Sequence, residues 1–200
     1  MSDDRCGIYY SSGDISDIDT IANFLQQQGV SLQDPKTQKI LALDRKGDRY
    51  ETNLAQIKQN LLARKRENVE VWLKPQSDSI WTIRLEDNCW IHEFTFYYLL
   101  HDEEVDQLSH IAFKLFADDI LSKPRLGMYI DRYGRTYEYD FEPFFVKNEG
   151  RIECFTDLIC VPEEKLNRVD IDSVVDTVRW LDNGMVCASN DETFLEELLS

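Results

Sequence analysis

The chain has 200 residues, 42% of them hydrophobic and 12% aromatic, with a formal net charge of −16. That apolar content supports a folded core rather than a disordered chain, and no run approaches the roughly 20 apolar residues of a membrane-spanning helix. The sign of the charge argues against nucleic acid and anionic membranes as partners, because both need positive patches.

The charge is unevenly placed. Residues 1–100 carry 15 acidic and 12 basic side chains, a net of −3, whereas residues 101–200 carry 23 and 10, a net of −13. Such a field accelerates the approach of a basic partner. The opening residues, Met-Ser-Asp-Asp-Arg-Cys, lack the basic and apolar regions of a signal peptide, so the expected location is the cytoplasm. Five cysteines without a CxxC pair read as reduced, buried small hydrophobes.

In chain order, residues 7–11 read as a short strand. A capping box at Ser16 and Asp19 opens a helix with Ile18, Ile21, Ala22 and Leu25 on one face, closed by Gly29. Residues 39–43 form a second strand and residues 45–48 a turn. A helix over residues 52–65 presents Leu54, Ile57 and Leu61 on one side and ends in Arg64, Lys65 and Arg66, the chain's basic cluster, read as a solvated helix end. A meander follows. Val69, Val71 and Leu73 alternate on one strand, and Trp81, Ile83 and Leu85 on the next.

Residues 89–121 are the expected spine, an aromatic-rich strand feeding a helix with Asp102, Glu103 and Glu104 in its first turn. After the break at Pro124, residues 126–142 read as a hairpin turning at Tyr133-Gly-Arg135. Residues 151–161 read as a strand whose apolar face holds Ile152, Cys154, Leu158 and Cys160. Residues 178–187 read as a hairpin turning at Asp182-Asn-Gly184, with a helix over 172–181 as the competitor. A short helix closes the chain, capped by Ser189 and Glu192. Three strands between helices give an α+β fold, a mainly antiparallel sheet with helices packed largely on one face, in one composite domain.

All three histidines lie in the spine. Cys89 and His92 suit zinc chemically, but residues three apart on a strand point to opposite faces. His92 shares its face with Trp90, Phe94 and Phe96 and reads as a core histidine. His101 reads as a cap and His110 as a surface residue. The expectation is therefore no metal and no cofactor.

The acidic feature is the stretch 137–142, read as a strand. Glu138, Asp140 and Glu142 fall on one face, with Tyr137, Tyr139 and Phe141 on the other. Together with Tyr129 and Tyr133, these acids form the candidate partner-binding surface, since tyrosine is enriched at interfaces. Neither GxGxxG, P-loop, GxSxG nor HExxH occurs. The expected function is a non-enzymatic module that engages a basic protein, such as a toxin, in the manner of inhibitor or immunity proteins. Two alternatives stand beside it. The order helix, three strands, helix, two strands over residues 52–142 resembles secretion-chaperone-like folds in topology, which implies an adaptor that dimerises and binds a client segment. Paired carboxylates at Glu138 and Asp140 suit a hydrolase.

Overall fold

A computed structural model describes residues 4–10, 17–87, 89–96, 102–122, 126–132, 134, 136, 139–153, 156–170 and 177–199. The fold is α+β, built on a single ten-stranded antiparallel sheet. The elements run β1 (Asp4–Tyr10), α1 (Asp17–Gln27), β2 (Ile40–Leu43), β3 (Arg49–Thr52), α2 (Leu54–Arg64) and β4 (Arg66–Lys74). They continue with β5 (Ser77–Glu86), β6 (Cys89–Phe96), α3 (Asp102–Ser122), β7 (Gly127–Asp131), α4 (Glu142–Phe145) and β8 (Leu158–Pro162). A 3-10 helix (Glu163–Arg168), β9 (Thr177–Trp180), β10 (Met185–Ser189) and α5 (Glu192–Leu199) complete the chain.

The strands lie in the order β3-β2-β4-β5-β6-β1-β7-β8-β10-β9. The first strand therefore sits mid-sheet, pairing β6 from Asp4↔Phe96 to Tyr10↔Trp90 and β7 on its other side. One face carries the main core, where Ile21 and Leu25 of α1, Ile57 and Leu61 of α2, Phe113 of α3 and Leu195 of α5 cover Val69, Trp81, Ile83 and Phe94. The opposite face carries a second core, in which Phe144 and Phe145 of α4 lie with Cys89, Ile91, Tyr129 and Ile159. Cys89 and His92 thus occupy opposite faces, as strand parity requires.

Local chemistry accounts for the element ends. Asn53 accepts from the N–H of Gln56 at 2.9 Å and starts α2, while Lys65 takes the left-handed conformation that ends it. Gly47, at φ 84°, closes the β2–β3 turn, where Asp44 accepts from the N–H groups of Lys46 and Asp48. The turn at 181–184 joins β9 and β10 as the expected hairpin, so the competing helix is absent over residues 177–181.

Three expectations need correction. Residues 49–52 pair with β2 as a strand, so α2 begins two residues later than the apolar spacing indicates. Residues 151–161 are not one strand. Ile152 makes an isolated parallel bridge to Val169 and joins the second core, whereas Leu158 and Cys160 belong to the main one. Cys160 faces Cys187 directly across β8 and β10, with Cα atoms 4.1 Å apart, and the two form a disulfide. The expectation of five reduced thiols therefore fails for this pair. Cys6 and Cys89 are free and buried, and Cys154 lies outside the described residues.

The cross-link spans 27 residues. By loop-closure entropy, its reduction is expected to cost about 3.5 kcal/mol of stability. Both cysteines are fully buried, so they should resist reductant and alkylation until denaturant is added. Unfolding curves with and without dithiothreitol, read beside intact mass, check both expectations.

Candidate functional site

Among the described residues expected to form one acidic docking face, Tyr129, Asp140 and Glu142 do not share the exposed face of a strand. Tyr129 is 2% exposed in β7, opposite Gly7 of β1. Its ring occupies the space above that glycine, where a Cβ would stand 2.3 Å from Tyr129 Cε1, and it stacks on Phe141 at 4.0 Å between centroids. It is a core residue. Residues 139–141 form no strand, and Glu142 opens α4 with Pro143 in its first turn. Asp140 is exposed but turns back to accept from the N–H of Glu142 at 2.9 Å. The Tyr139 hydroxyl donates to the Arg151 carbonyl. Glu138, Tyr133 and Tyr137 lie outside the described residues. The expected alternation of acids against aromatics is thus replaced, from Tyr139 onward, by a helix start.

Glu142 has an internal partner. Arg84 Nη1 lies 2.7 Å from Glu142 and 3.1 Å from Glu86, and Nη2 lies 3.6 Å from Glu93. Burial and a hydrogen bond to Glu86 raise the pKa of Glu142, and that same bond lowers Glu86. The cluster ties α4 to the middle of the sheet.

A second cluster surrounds Arg132, 9% exposed at the end of β7. Its guanidinium reaches Asp106 of α3 at 3.0 Å, Asp191 before α5 at 2.9 Å and Asp157 before β8 at 3.6 Å. Asp131, fully buried, accepts from the N–H and hydroxyl of Thr136. His92 is 2% exposed and accepts from Trp81 Nε1 at 3.2 Å. His110 is half-buried against the Asp106 carbonyl rather than free on the surface, and His101 lies outside the described residues.

Exposure picks out a different surface. Trp180, at the end of β9, is 60% exposed and is one of two large hydrophobics among the described residues that stand out from the fold. The other is Leu62 on the outer side of α2. Beside Trp180, the hairpin turn carries exposed Asp182, and the N–H of Glu163 donates to the Gly184 carbonyl at 2.9 Å. That bond brings the exposed acids Glu163 and Glu164 up to the same turn. Strand β9 ends the sheet, and no described strand pairs with its outer edge. Its edge N–H and C=O groups are the kind an incoming strand can use. The signal in the sequence was Val178-Arg-Trp-Leu-Asp-Asn-Gly184, an alternating strand and turn whose tryptophan has no place in either core. No family model, curated protein or solved structure matches this chain.

Proposed function

We propose that the protein is a non-enzymatic binding module whose acidic second half engages a basic protein partner. The observation that carries this reading is an exposed tryptophan, Trp180, on the last described strand of the sheet, followed by exposed Asp182 in the turn to which Glu163, with exposed Glu164 beside it, is hydrogen-bonded. Tryptophan dominates interface energetics when a partner desolvates it. Carboxylates around it steer lysine- and arginine-rich surfaces and hold them at the rim. The net charge of −16, concentrated after residue 100, extends that steering over the whole approach. Partners of this chemistry include cationic toxins, for which the protein would serve as an inhibitor. Three residues of the expected acidic face are left out of this surface, because Asp140 accepts from the N–H of Glu142, Glu142 is paired with Arg84, and Tyr129 is buried.

The test is affinity capture on the immobilised chain from its native cell, run beside Trp180→Ala and a Glu163→Lys, Glu164→Lys, Asp182→Lys variant. Losing a buried tryptophan anchor costs about 2 kcal/mol or more, roughly thirtyfold in affinity. The expected result is a basic protein retained by the wild type, released by salt, and missing from both variants. Equal retention by the charge-reversed variant would sink the proposal.

A further inference from the structure

A large groove lies at the opposite end of the sheet. Its volume is about 830 Å³, and it lies beyond the C-terminus of α2, between the β2–β3 turn, the start of β4 and the end of β5. Sequence alone places three cations there, Arg64, Lys65 and Arg66. The fold adds Arg45 and Lys46 from the β2–β3 turn, so five of the twelve cations in the first hundred residues line one groove.

These five differ from five of the seven other cations of that half. Lys39, Arg49, Lys58, Lys74 and Arg84 each have a carboxylate at 2.5 to 3.1 Å. Among the described residues, none of the groove's five has such a partner, and Arg66 makes only a 3.4 Å contact with the Asn68 side-chain oxygen. The three acids in the groove wall are held by partners other than its five cation side chains. Asp44 accepts from the backbone of its own turn, Glu67 accepts from the Tyr50 hydroxyl at 2.5 Å, and Glu86 is held by Arg84. Burial and the bond to Glu67 push the Tyr50 pKa up to about 12, so the phenol stays neutral. The partial negative charge at the end of α2 is small beside five cations.

We infer that this groove binds a compact, multiply charged phosphate compound of nucleotide size, held by Arg45, Lys46, Arg64, Lys65 and Arg66. Guanidinium forks match phosphate oxygens in pairs, and lysines add point charge. Leu43, Tyr50 and Leu85 supply an apolar wall for the organic part, and the volume falls in the range of small-ligand sites. The ligand must be compact. Screening limits each charge to about 8 Å at physiological salt, so a small anion meets the groove alone. A long polyanion would lie across the rest of a molecule carrying −16 and be repelled.

Calorimetric titration of the full chain in low-salt buffer tests this, with inorganic triphosphate, ATP and a short DNA duplex as probes. The variants are Arg45→Ser with Lys46→Ser, and Arg64→Ser with Arg66→Ser. All four side chains are exposed, so both variants are expected to fold. Triphosphate and ATP should bind at one site, and each double substitution should weaken them roughly tenfold or more, the loss of one charge-assisted hydrogen bond or more. ATP binding tighter than triphosphate assigns the apolar wall to the organic part, and equal binding removes that assignment. Absence of saturable binding, variants that bind like the wild type, or a duplex that binds more tightly than triphosphate would each overturn the inference.

Discussion

Replacing Arg132 with alanine is expected to destabilise the fold by about 3–5 kcal/mol, the cost of removing one partner from a buried ionic cluster. The side chain is 10% exposed and joins three segments that are far apart in the chain, through Asp106, Asp157 and Asp191. Its own N–H also donates to Asp157 Oδ2 at 2.7 Å. Asp157 is 1% exposed, and its carbonyl accepts from the Ser189 hydroxyl and the Asn190 N–H, which tie it to the end of β10. Without the guanidinium, the Asp157 carboxylate remains buried and loses its counter-charge. Burial works to raise the Asp191 pKa, but bonds from Thr193 and the charge of Arg132 hold it low, so the variant should raise it. Pairing Arg132→Met with Asp157→Asn removes both charges and should recover part of the loss. Urea unfolding of the two variants beside the wild type measures this. An Arg132→Ala variant as stable as the wild type would show that the cluster holds nothing together.

Acidification should unfold the protein through His92. Burial lowers its pKa from 6.5 to about 3. The folded state therefore resists a proton that the unfolded chain accepts. Stability is fully present above the unfolded value and is lost as pH falls from about 6.5 toward 3, by about 1.4 kcal/mol per pH unit and on the order of 4 kcal/mol in all. The hydrogen bond inside the core acts in the same direction as burial. Trp81 Nε1 donates to His92 Nδ1, so the acceptor nitrogen cannot take a proton without breaking that bond. His92→Gln keeps an acceptor and does not titrate. Its stability should be flat between about pH 6.5 and 5, where the wild type loses about 2 kcal/mol. Chemical unfolding at stepped pH compares the two, and parallel curves would clear His92 of the role.

What the sequence made legible was governed by local period. The alternation of Val69 with Val71 and of Trp81 with Ile83 fixed the faces of β4 and β5, and parity alone separated Cys89 from His92. The stripe of Ile18, Ile21 and Leu25 placed α1 on the main core. Alternation misled where a helix start imitates it. In Tyr139-Asp-Phe-Glu-Pro143, the aspartate accepts from the N–H two residues on, as in a turn, and Pro143 favours a first helical turn over a strand. The turn at residues 45–48 implied a returning strand, and Tyr50, half-buried between two exposed residues, is its trace.

Long-range pairing was beyond local period altogether. Arg132 meets partners 25 to 59 residues away, and Arg45 and Lys46 join Arg64 to Arg66 only because β2 pairs with β4. The cross-strand disulfide depends in the same way on the register Cys187↔Cys160. For the acidic surface, the charge asymmetry was visible in the sequence but its focus was not. Whether Trp180 joins a core or stands outside it depends on which strand ends the sheet.

The most direct measurement of the proposed function is the association rate with the captured partner as a function of ionic strength, followed by tryptophan fluorescence, to which the exposed Trp180 contributes beside three buried tryptophans. Electrostatically steered association falls steeply with salt, by about tenfold or more between low and high ionic strength. The acidic-edge account predicts that fall for the wild type, and a much flatter dependence once Glu163, Glu164 and Asp182 are reversed. A rate indifferent to salt, or an unchanged slope in the reversed variant, would contradict it.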